Sequence, residues 1–385
     1  ETVKDIDILV TSKTPARIME VFVGLPNLAE VLARGETKSS LRLRESIQVD
    51  LRVVEPDCFG AALQYFTGSK QHNIRVRELA QRRELKVSEY GVFDGRSGKR
   101  VAGGTEEDVY RAVGLPFIPP ELREDTGEID AALADRLPTL VALADIRGDL
   151  QLHTTWSDGA HSLADLAAGV QAKGYQYMAV TDHSKSVTVA KGMDEARVVQ
   201  MIAEVRSLNR RLKRFRVLAG CEVDILADGS LDFPDEILAQ LDLVQVSVHS
   251  RFKMSREEMT ARIVRGVRHP LVHILGHPTG RLIGERAAYE VDMEAVLQAA
   301  RAAGIAVEIN ASPSRLDLND LHARRAKDLG IPITISTDAH AMPQLDFMRY
   351  GVAVARRAWL TPGDVLNTLP DRDLVSWLGQ RGRPV

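Results

Sequence analysis

The chain has 385 residues, 44% of them hydrophobic and 27% charged, enough to bury at least one large core and, by length, to form two domains or more. This composition excludes a disordered or fibrous protein. Cys58 and Cys221 are the only cysteines, too few for a disulfide framework, and no run suits a signal peptide or a membrane span. Those features point to a reducing cytoplasm and no membrane partner. A formal net charge of −3 carries no global signature of nucleic-acid binding, so any such surface has to be local. The chain opens on Glu1 and runs straight into a strand-like segment, so it is expected to begin inside a longer protein.

Residues 5–10 (DIDILV) and 47–54 (IQVDLRVV) read as short strands rich in β-branched residues, with a helical stretch over 15–34 between them. This is an antiparallel-leaning α+β start. A basic, helix-like stretch follows to about Arg83. From Lys70 to Arg100 nine basic residues stand against four acidic ones, which fits a phosphate-facing surface and a solvated helix face equally. Gly95, Gly98, Gly103 and Gly104 mark turns, and a segment rich in Pro and acid runs from 119 to 130. A linker is expected at 123–146.

From Asp149 the pattern changes to apolar strands alternating with amphipathic helices, the signature of βα units around parallel strands. Strands are expected at 149–153, 176–181, 216–222, 243–248, 271–276, 305–310 and 332–337, and helices at 162–173, 195–212, 255–268, 292–303 and 319–329. Nine of the ten histidines lie after residue 150. Five of them, His153, His183, His249, His277 and His340, fall just past the carboxy end of an expected strand, whereas His161, His269, His273 and His322 do not. In a closed parallel barrel those ends converge on one rim. Asp158, Glu222 and Asp338 join them there. One such histidine alone would read as a satisfied polar residue at a strand end; five at equivalent ends read as a metal cluster, and mixed imidazole and carboxylate donors suit Zn²⁺ or Mn²⁺.

The segments LQLHTTWSDG, VTDHS, GCEVD, VSVHS, GHP and STDAH closely resemble the PHP (polymerase and histidinol phosphatase) family over about 149–385. The resemblance implies a distorted (βα)7 barrel holding two to three ions for phosphoester hydrolysis. It also implies His153, Asp158, His183, Glu222, His249, His277, Asp338 and His340 as ligands, with Glu222 catalytic as a bridge between ions. The family's first motif is usually His-x-His, but here its first position is Gln151, which leaves one ion bound more weakly or through the amide oxygen. Arg251 and Arg281, each a few residues past a ligand histidine, are candidates to grip phosphate, with ordinary surface arginines as the alternative reading.

At the front, Asp5 and Asp7 share one face of a strand because side chains alternate with a period of two, and Asp50 has the same apolar–Asp–apolar setting in a second strand. Three converging carboxylates form an oxygen-rich site suited to Mg²⁺ or Mn²⁺ and a nucleoside triphosphate. Residues 65–69 (YFTGS), with Asn73, Arg77 and Glu89-Tyr90, resemble the passage from palm to nucleotide-facing subdomain in the polymerase beta family, over roughly 1–122. That resemblance implies catalytic Asp5, Asp7 and Asp50, with Tyr65, Phe66 and Gly68 beside the sugar and Asn73 near the base. Tyr65 and Phe66 read equally as core aromatics.

The fold class expected is therefore α/β, an α+β polymerase-beta-like palm and nucleotide subdomain (1–122) followed by a PHP barrel (147–385). The whole resembles a bacterial family X DNA polymerase, a monomeric repair enzyme. Its implied activities are nucleotidyl transfer, incomplete in this chain, and 3′-to-5′ exonuclease with 3′-end processing or abasic-site cleavage. Its implied partners are gapped or 3′-recessed DNA and deoxynucleoside triphosphates. A small-molecule phosphomonoesterase of the histidinol phosphatase type and a non-catalytic scaffold are the rival readings.

Overall fold

The computed structural model describes residues 3–380 and divides into two compact units, Glu1–Leu137 and Pro138–Val385. No helix among the described residues is long and apolar enough to cross a membrane.

The first unit begins with a four-stranded sheet built from β1 (Asp5–Thr11), β2 (Leu28–Arg34), β3 (Lys38–Leu43) and β4 (Gln48–Val54), in the order β1-β4-β3-β2. Alternation decides its faces. Val49, Leu51 and Val53 pack with Leu41 against Met19 and Phe22 of the helix Pro15–Val23, which leaves Gln48, Asp50 and Arg52 on the opposite face. Two expectations are corrected here. The helix expected over 15–34 stops at Gly24, two residues before Pro26, and 28–34 instead pairs antiparallel with β3. β1 and β4 pair in parallel, so the sheet is mixed and not antiparallel throughout.

Two helices, Phe59–Thr67 and Lys70–Gln81, lead into a small antiparallel sheet of β5 (Leu85–Ser88), β6 (Gly91–Asp94) and β7 (Arg100–Ala102), where the glycines had suggested turns alone. Residues 123–137, expected as linker, belong to this unit. The cause is burial of charge with its partner. Arg123 is 1% exposed, donating to Ile118 O (2.9 Å) and to Glu106 (2.5 Å), and the fully buried Glu128 accepts from His72 Nδ1 at 2.7 Å. A segment that sequesters an arginine and a glutamate must be folded, because neither can be left buried alone.

The second unit is a barrel of seven parallel strands in sequential order: β8 (Gly148–Leu152), β9 (Tyr177–Val180), β10 (Arg216–Asp224), β11 (Leu243–Ser247), β12 (Ile274–Leu275), β13 (Ala306–Asn310) and β14 (Ile333–Ser336). All seven fall inside or within two residues of their expected positions. Helices Leu163–Ala172, Glu195–Asn209, Arg256–Val267, Met293–Ala303 and Asp320–Asp328 cover the outside, each capped by the residue before it: Ser162, Asp194, Ser255, Asp292 and Asn319 accept from the third backbone N–H of their helices. β12 is the exception to the βα rhythm, since seventeen residues (276–292) without regular structure follow it.

Inward-facing residues form layers. Leu150, Tyr177, Ala179, Leu218, Leu243, Ile274 and Ala306 make an apolar floor, sealed below by Leu366, Leu374 and Leu378. Above it lie Gln151, Gln245, Ser247, Glu308, Asn310, Thr334 and Ser336, all fully buried. Barrel interiors are ordinarily filled by branched apolar side chains. A polar layer here means that something above it needs hydrogen-bonded support.

The ring closes between β14 and β8 through the Leu152–Ala339 bridge and through Asp149, which accepts Thr337 N at 3.2 Å and Thr337 Oγ1 at 2.5 Å. Burial pushes the Asp149 carboxyl up to about 6 in spite of those bonds. Replacing Asp149 with Ala should leave the Thr337 donors buried and unpaired, at a cost of about 2–3 kcal/mol. Melting temperature should then fall by roughly 5–10 °C for a unit of this size. A melt within 1 °C or so of the parent would show that the seam does not need this latch.

Candidate metal centre and acidic triad

The carboxy ends of the strands bring all eight expected ligands to one rim. Glu222, at 0% exposure, stands at the centre. His277 Nε2 lies 2.8 Å and His249 Nε2 3.4 Å from its Oε1, while His183 Nδ1 lies 3.2 Å and His153 Nε2 3.7 Å from its Oε2. On one side, His153 Nε2 is 3.0 Å from Asp338 Oδ1. On the other, Asp158 Oδ1 is 3.4 Å from His340 Nε2 and 3.9 Å from His183 Nε2. Donor atoms of His153, Asp158, His183 and His340 all fall within 4.8 Å of one another, as do those of His183, Glu222 and His249.

Several of these atoms are close without being aligned as hydrogen bonds. Both ring nitrogens of His153, Nδ1 of His183, Nε2 of His249, Nδ1 of His277 and Oε2 of Glu222 are buried and have no hydrogen-bond partner. Orphaned imidazole and carboxylate atoms converging on common points are the donor set of borderline divalent cations such as Zn²⁺ or Mn²⁺. The electrostatics agree. Burial would raise the Glu222 carboxyl, yet His249, His183 and His277 hold it well below the usual range. Against the same burial, carboxylates hold His249 and His340 up to about 9, whereas burial wins at His183, which falls to about 3. Neighbouring groups of opposite charge thus offset burial at Glu222, His249 and His340.

A second set of side chains, invisible to strand-end counting, aims the first. Asp182 accepts from the backbone and hydroxyl of both Thr154 and Ser157, at 2.5–3.0 Å, and so shapes the turn that carries Asp158. Asp224 accepts from His249 N at 2.9 Å and lies 3.3 Å from its Nδ1. Glu308 accepts the His277 N–H at 2.8 Å. Asp224, beside a ring nitrogen, bears on ring orientation and basicity, whereas Asp182 and Glu308 hold the backbone that carries the ligands. Asp182 and Asp224 were legible in principle, since each adjoins or nearly adjoins a ligand in VTDHS and GCEVD. The two groups of mutually close donor atoms hold six of the eight expected ligands; His277 and Asp338 lie outside both, as do His161, His269, His273 and His322.

The arginines and Gln151 behave differently from expectation. Arg281 donates its Nε to Arg315 O at 2.8 Å and Nη2 to Leu316 O, so its guanidinium holds a loop. Arg251 is exposed and makes no described contact with the cluster. Arg315, which the sequence reading passed over, reaches it, with Nε 3.3 Å from Asp338 Oδ2. Gln151 lies beneath the ligands with Oε1 3.5 Å from Asn310 Nδ2.

In the first unit, parallel pairing sets Asp7 directly beside Asp50, and Asp5 lies two residues away on the same face. Burial first, then the charges of Asp50 and Asp5, raise the Asp7 carboxyl, while Gln48 donates to Asp50 at 3.0 Å and Lys38 lies 3.5 Å from it. Like charges on adjacent strands thus raise one carboxyl, while against burial Gln48 and Lys38 hold that of Asp50 down. Tyr65, Phe66, Gly68 and Asn73 line one cleft of about 360 Å³ together with Lys70 and Arg77. Asn73 is not free there: its Oδ1 accepts from Gln64 at 2.6 Å and its Nδ2 donates to Tyr65 O at 2.8 Å, so its amide is spent on the helix pair.

Fold and site together define a two-unit chain in which a polymerase-beta-type nucleotide subdomain precedes a PHP barrel. The profile described as DNA polymerase beta thumb matches residues 62–124, and that described as PHP domain matches 149–312. The chain is 42% identical over 380 residues to the DNA polymerase/3′-5′ exonuclease PolX of Bacillus subtilis, covering 98% of this chain and 66% of that protein. A probable phosphatase of Thermoanaerobacter is 32% identical over 231 residues, covering 57% of this chain and 89% of its own length. A solved structure titled as the putative histidinol phosphatase hisK of Listeria monocytogenes aligns with a TM-score of 0.42 at 14% identity over 51% of this chain and 97% of that one. The chain belongs to the bacterial family X DNA polymerases that carry a PHP domain.

With an amide at position 151 in place of the imidazole usual in the family it resembles, one ion should be the loosest. Titration of metal-stripped protein with Mn²⁺ should show one weak equivalent, and Gln151→His should tighten it. Indistinguishable isotherms for the two proteins would remove position 151 from the energetics of the cluster.

Proposed function

We propose that the chain is part of a DNA repair polymerase and that its barrel hydrolyses DNA phosphodiesters from the 3′ end, with gapped or 3′-recessed duplex as substrate. The observation that carries this reading is the convergence of buried, unpartnered imidazole and carboxylate atoms around Glu222, in a chain whose other unit bears a triad of aspartates and a nucleotide-sized cleft. His153, Asp158, His183, Glu222, His249, His277, Asp338 and His340 would hold two to three Zn²⁺ or Mn²⁺ ions. When bound, such ions polarise the phosphodiester and lower the pKa of water so that hydroxide is available near neutral pH.

The chain's own groups do the rest. Glu222 supplies one oxygen toward His277 and His249 and the other toward His183 and His153, which fits it to bridge two ions. Arg315 stands beside Asp338 with its remaining guanidinium N–H groups available for the oxygens of a scissile phosphate, the role first given to Arg251 and Arg281. Asp182 keeps the Asp158 turn in place, so the site need not reorganise on binding. In the first unit Asp5, Asp7 and Asp50 would hold Mg²⁺ for nucleotidyl transfer in the longer protein, with Tyr65, Phe66 and Gly68 at the sugar. The lysines and arginines between Lys70 and Arg100 supply phosphate contacts without base readout. Both cysteines are free and buried, in keeping with a reducing cytoplasm. A small-molecule phosphatase would leave the first unit without a use.

Glu222→Ala should reduce Mn²⁺-supported degradation of a labelled 3′-recessed duplex to background while circular dichroism stays that of a folded barrel, and bound metal should fall with it. Near-normal digestion by the folded variant would take Glu222 out of the mechanism. In the longer protein Asp50→Ala should stop nucleotide incorporation and spare the exonuclease. Incorporation that survived the change would sink the assignment of the aspartate triad.

A further inference from the structure

His277 and Asp338 differ from the other six candidate ligands in carrying their side chains on left-handed backbone, at φ +24° and +54°. Residues with a β-carbon rarely adopt this region, and they keep it only where the surroundings over-determine it. Strand β13 supplies the restraint for both. Glu308 Oε2 accepts the His277 N–H at 2.8 Å, and Asn310 Nδ2 donates to Asp338 Oδ2 at 3.1 Å. The same Nδ2 lies 3.4 Å from Glu308 Oε2 and 3.5 Å from Gln151 Oε1. One amide group thus stands among the oxygens of three side chains, and both Asn310 and Glu308 are fully buried. Its orientation is not arbitrary. Ser312 N–H donates to Asn310 Oδ1 at 3.1 Å, so the nitrogen is the atom turned toward the carboxylates.

We propose that Asn310 is the positioning residue of the His153–Asp338 side of the cluster, and that Glu308 below it does the same for His277. With Oδ2 taken by Asn310 and, at 3.3 Å, by Arg315, Asp338 presents Oδ1 alone to His153 Nε2 at 3.0 Å. A carboxylate at this point would repel Asp338, whereas the Asn310 amide donates to it. Gln245 completes the support, its Nε2 3.5 Å from Glu308 Oε1, and the space it occupies exists because position 276 is glycine: a β-carbon there would lie 2.4 Å from Gln245 Nε2 and 2.6 Å from Ser247 Oγ. Asn310 also draws the Gln151 oxygen away from the ligands, which assigns Gln151 to the supporting layer.

The inference rests on the metal-binding reading of the cluster and not on its nuclease activity, so the test contains no nucleic acid. Metal-stripped full chain and its Asn310→Asp and Asn310→Ala variants are titrated with Mn²⁺ by calorimetry, with near-ultraviolet circular dichroism and melting of the metal-free proteins alongside. Asn310→Asp keeps the shape and replaces the donor by an acceptor, and Asn310→Ala decides the matter should the charged variant not fold. One Mn²⁺ equivalent should weaken about 10- to 100-fold while the others hold. An unchanged isotherm in a folded variant, or equal weakening of every equivalent, overturns the assignment. Parent protein that took up no Mn²⁺ would overturn the metal reading as well, whereas parent protein that bound Mn²⁺ normally and left DNA intact would overturn the nuclease reading alone.

Discussion

The carboxylate of Glu222 is buried completely among four imidazoles, and the barrel is organised around making that tolerable. A lone carboxylate in such a place would cost several kcal/mol, more than most single contacts return. The protein meets the cost by surrounding it with groups that carry or accept positive charge and by placing a polar layer underneath. Only then does the interior return to leucine, tyrosine and isoleucine. The vertical order of the barrel, apolar floor, polar layer, ligands, is thus a gradient of increasing charge toward the open rim.

Much of this was legible in the sequence, for a definite reason. Barrel strands such as LVQVS and AVEIN are buried on both faces and read as short apolar runs, while the intervening helices announce themselves by period and by Ser, Asp or Asn caps. The ligand histidines were legible because each falls just past such a run. What the sequence hid was decided by tertiary contact. LAEVLAR has the composition of a helix and became β2 because β3 offered it a partner. The 123–137 segment looked like a polar linker because Arg123 and Glu128 are charged; only their partners, Glu106 and His72, distant in sequence, reveal that they are interior residues. Arg281 and Arg315 are indistinguishable as letters, and the backbone carbonyls that occupy Arg281 belong to a loop more than thirty residues away.

The two units offer cations different chemistry. Asp5, Asp7 and Asp50 offer oxygen only, on a sheet face that is part exposed, a setting for a hard ion that keeps its waters and exchanges with solvent. The barrel offers nitrogen and oxygen in a largely buried cluster, a setting for borderline ions held tightly. Sites so unlike in donor type can coexist on one chain without competing for the same ion.

The apolar floor has a consequence for how the protein is made. Leu366, Leu374 and Leu378, which seal the underside of the barrel, come from the last part of the described chain, while β8, whose Leu150 they cover, is made first. At ordinary rates of 5–20 residues per second, roughly 10–50 s separate the two on the ribosome. The first unit can fold in that interval, but the barrel must wait with an open underside and with β14 not yet available to complete the ring. Those seconds are when its apolar strands are exposed to nascent neighbours, so the helix Asp371–Leu378 ends that exposure as well as sealing the floor.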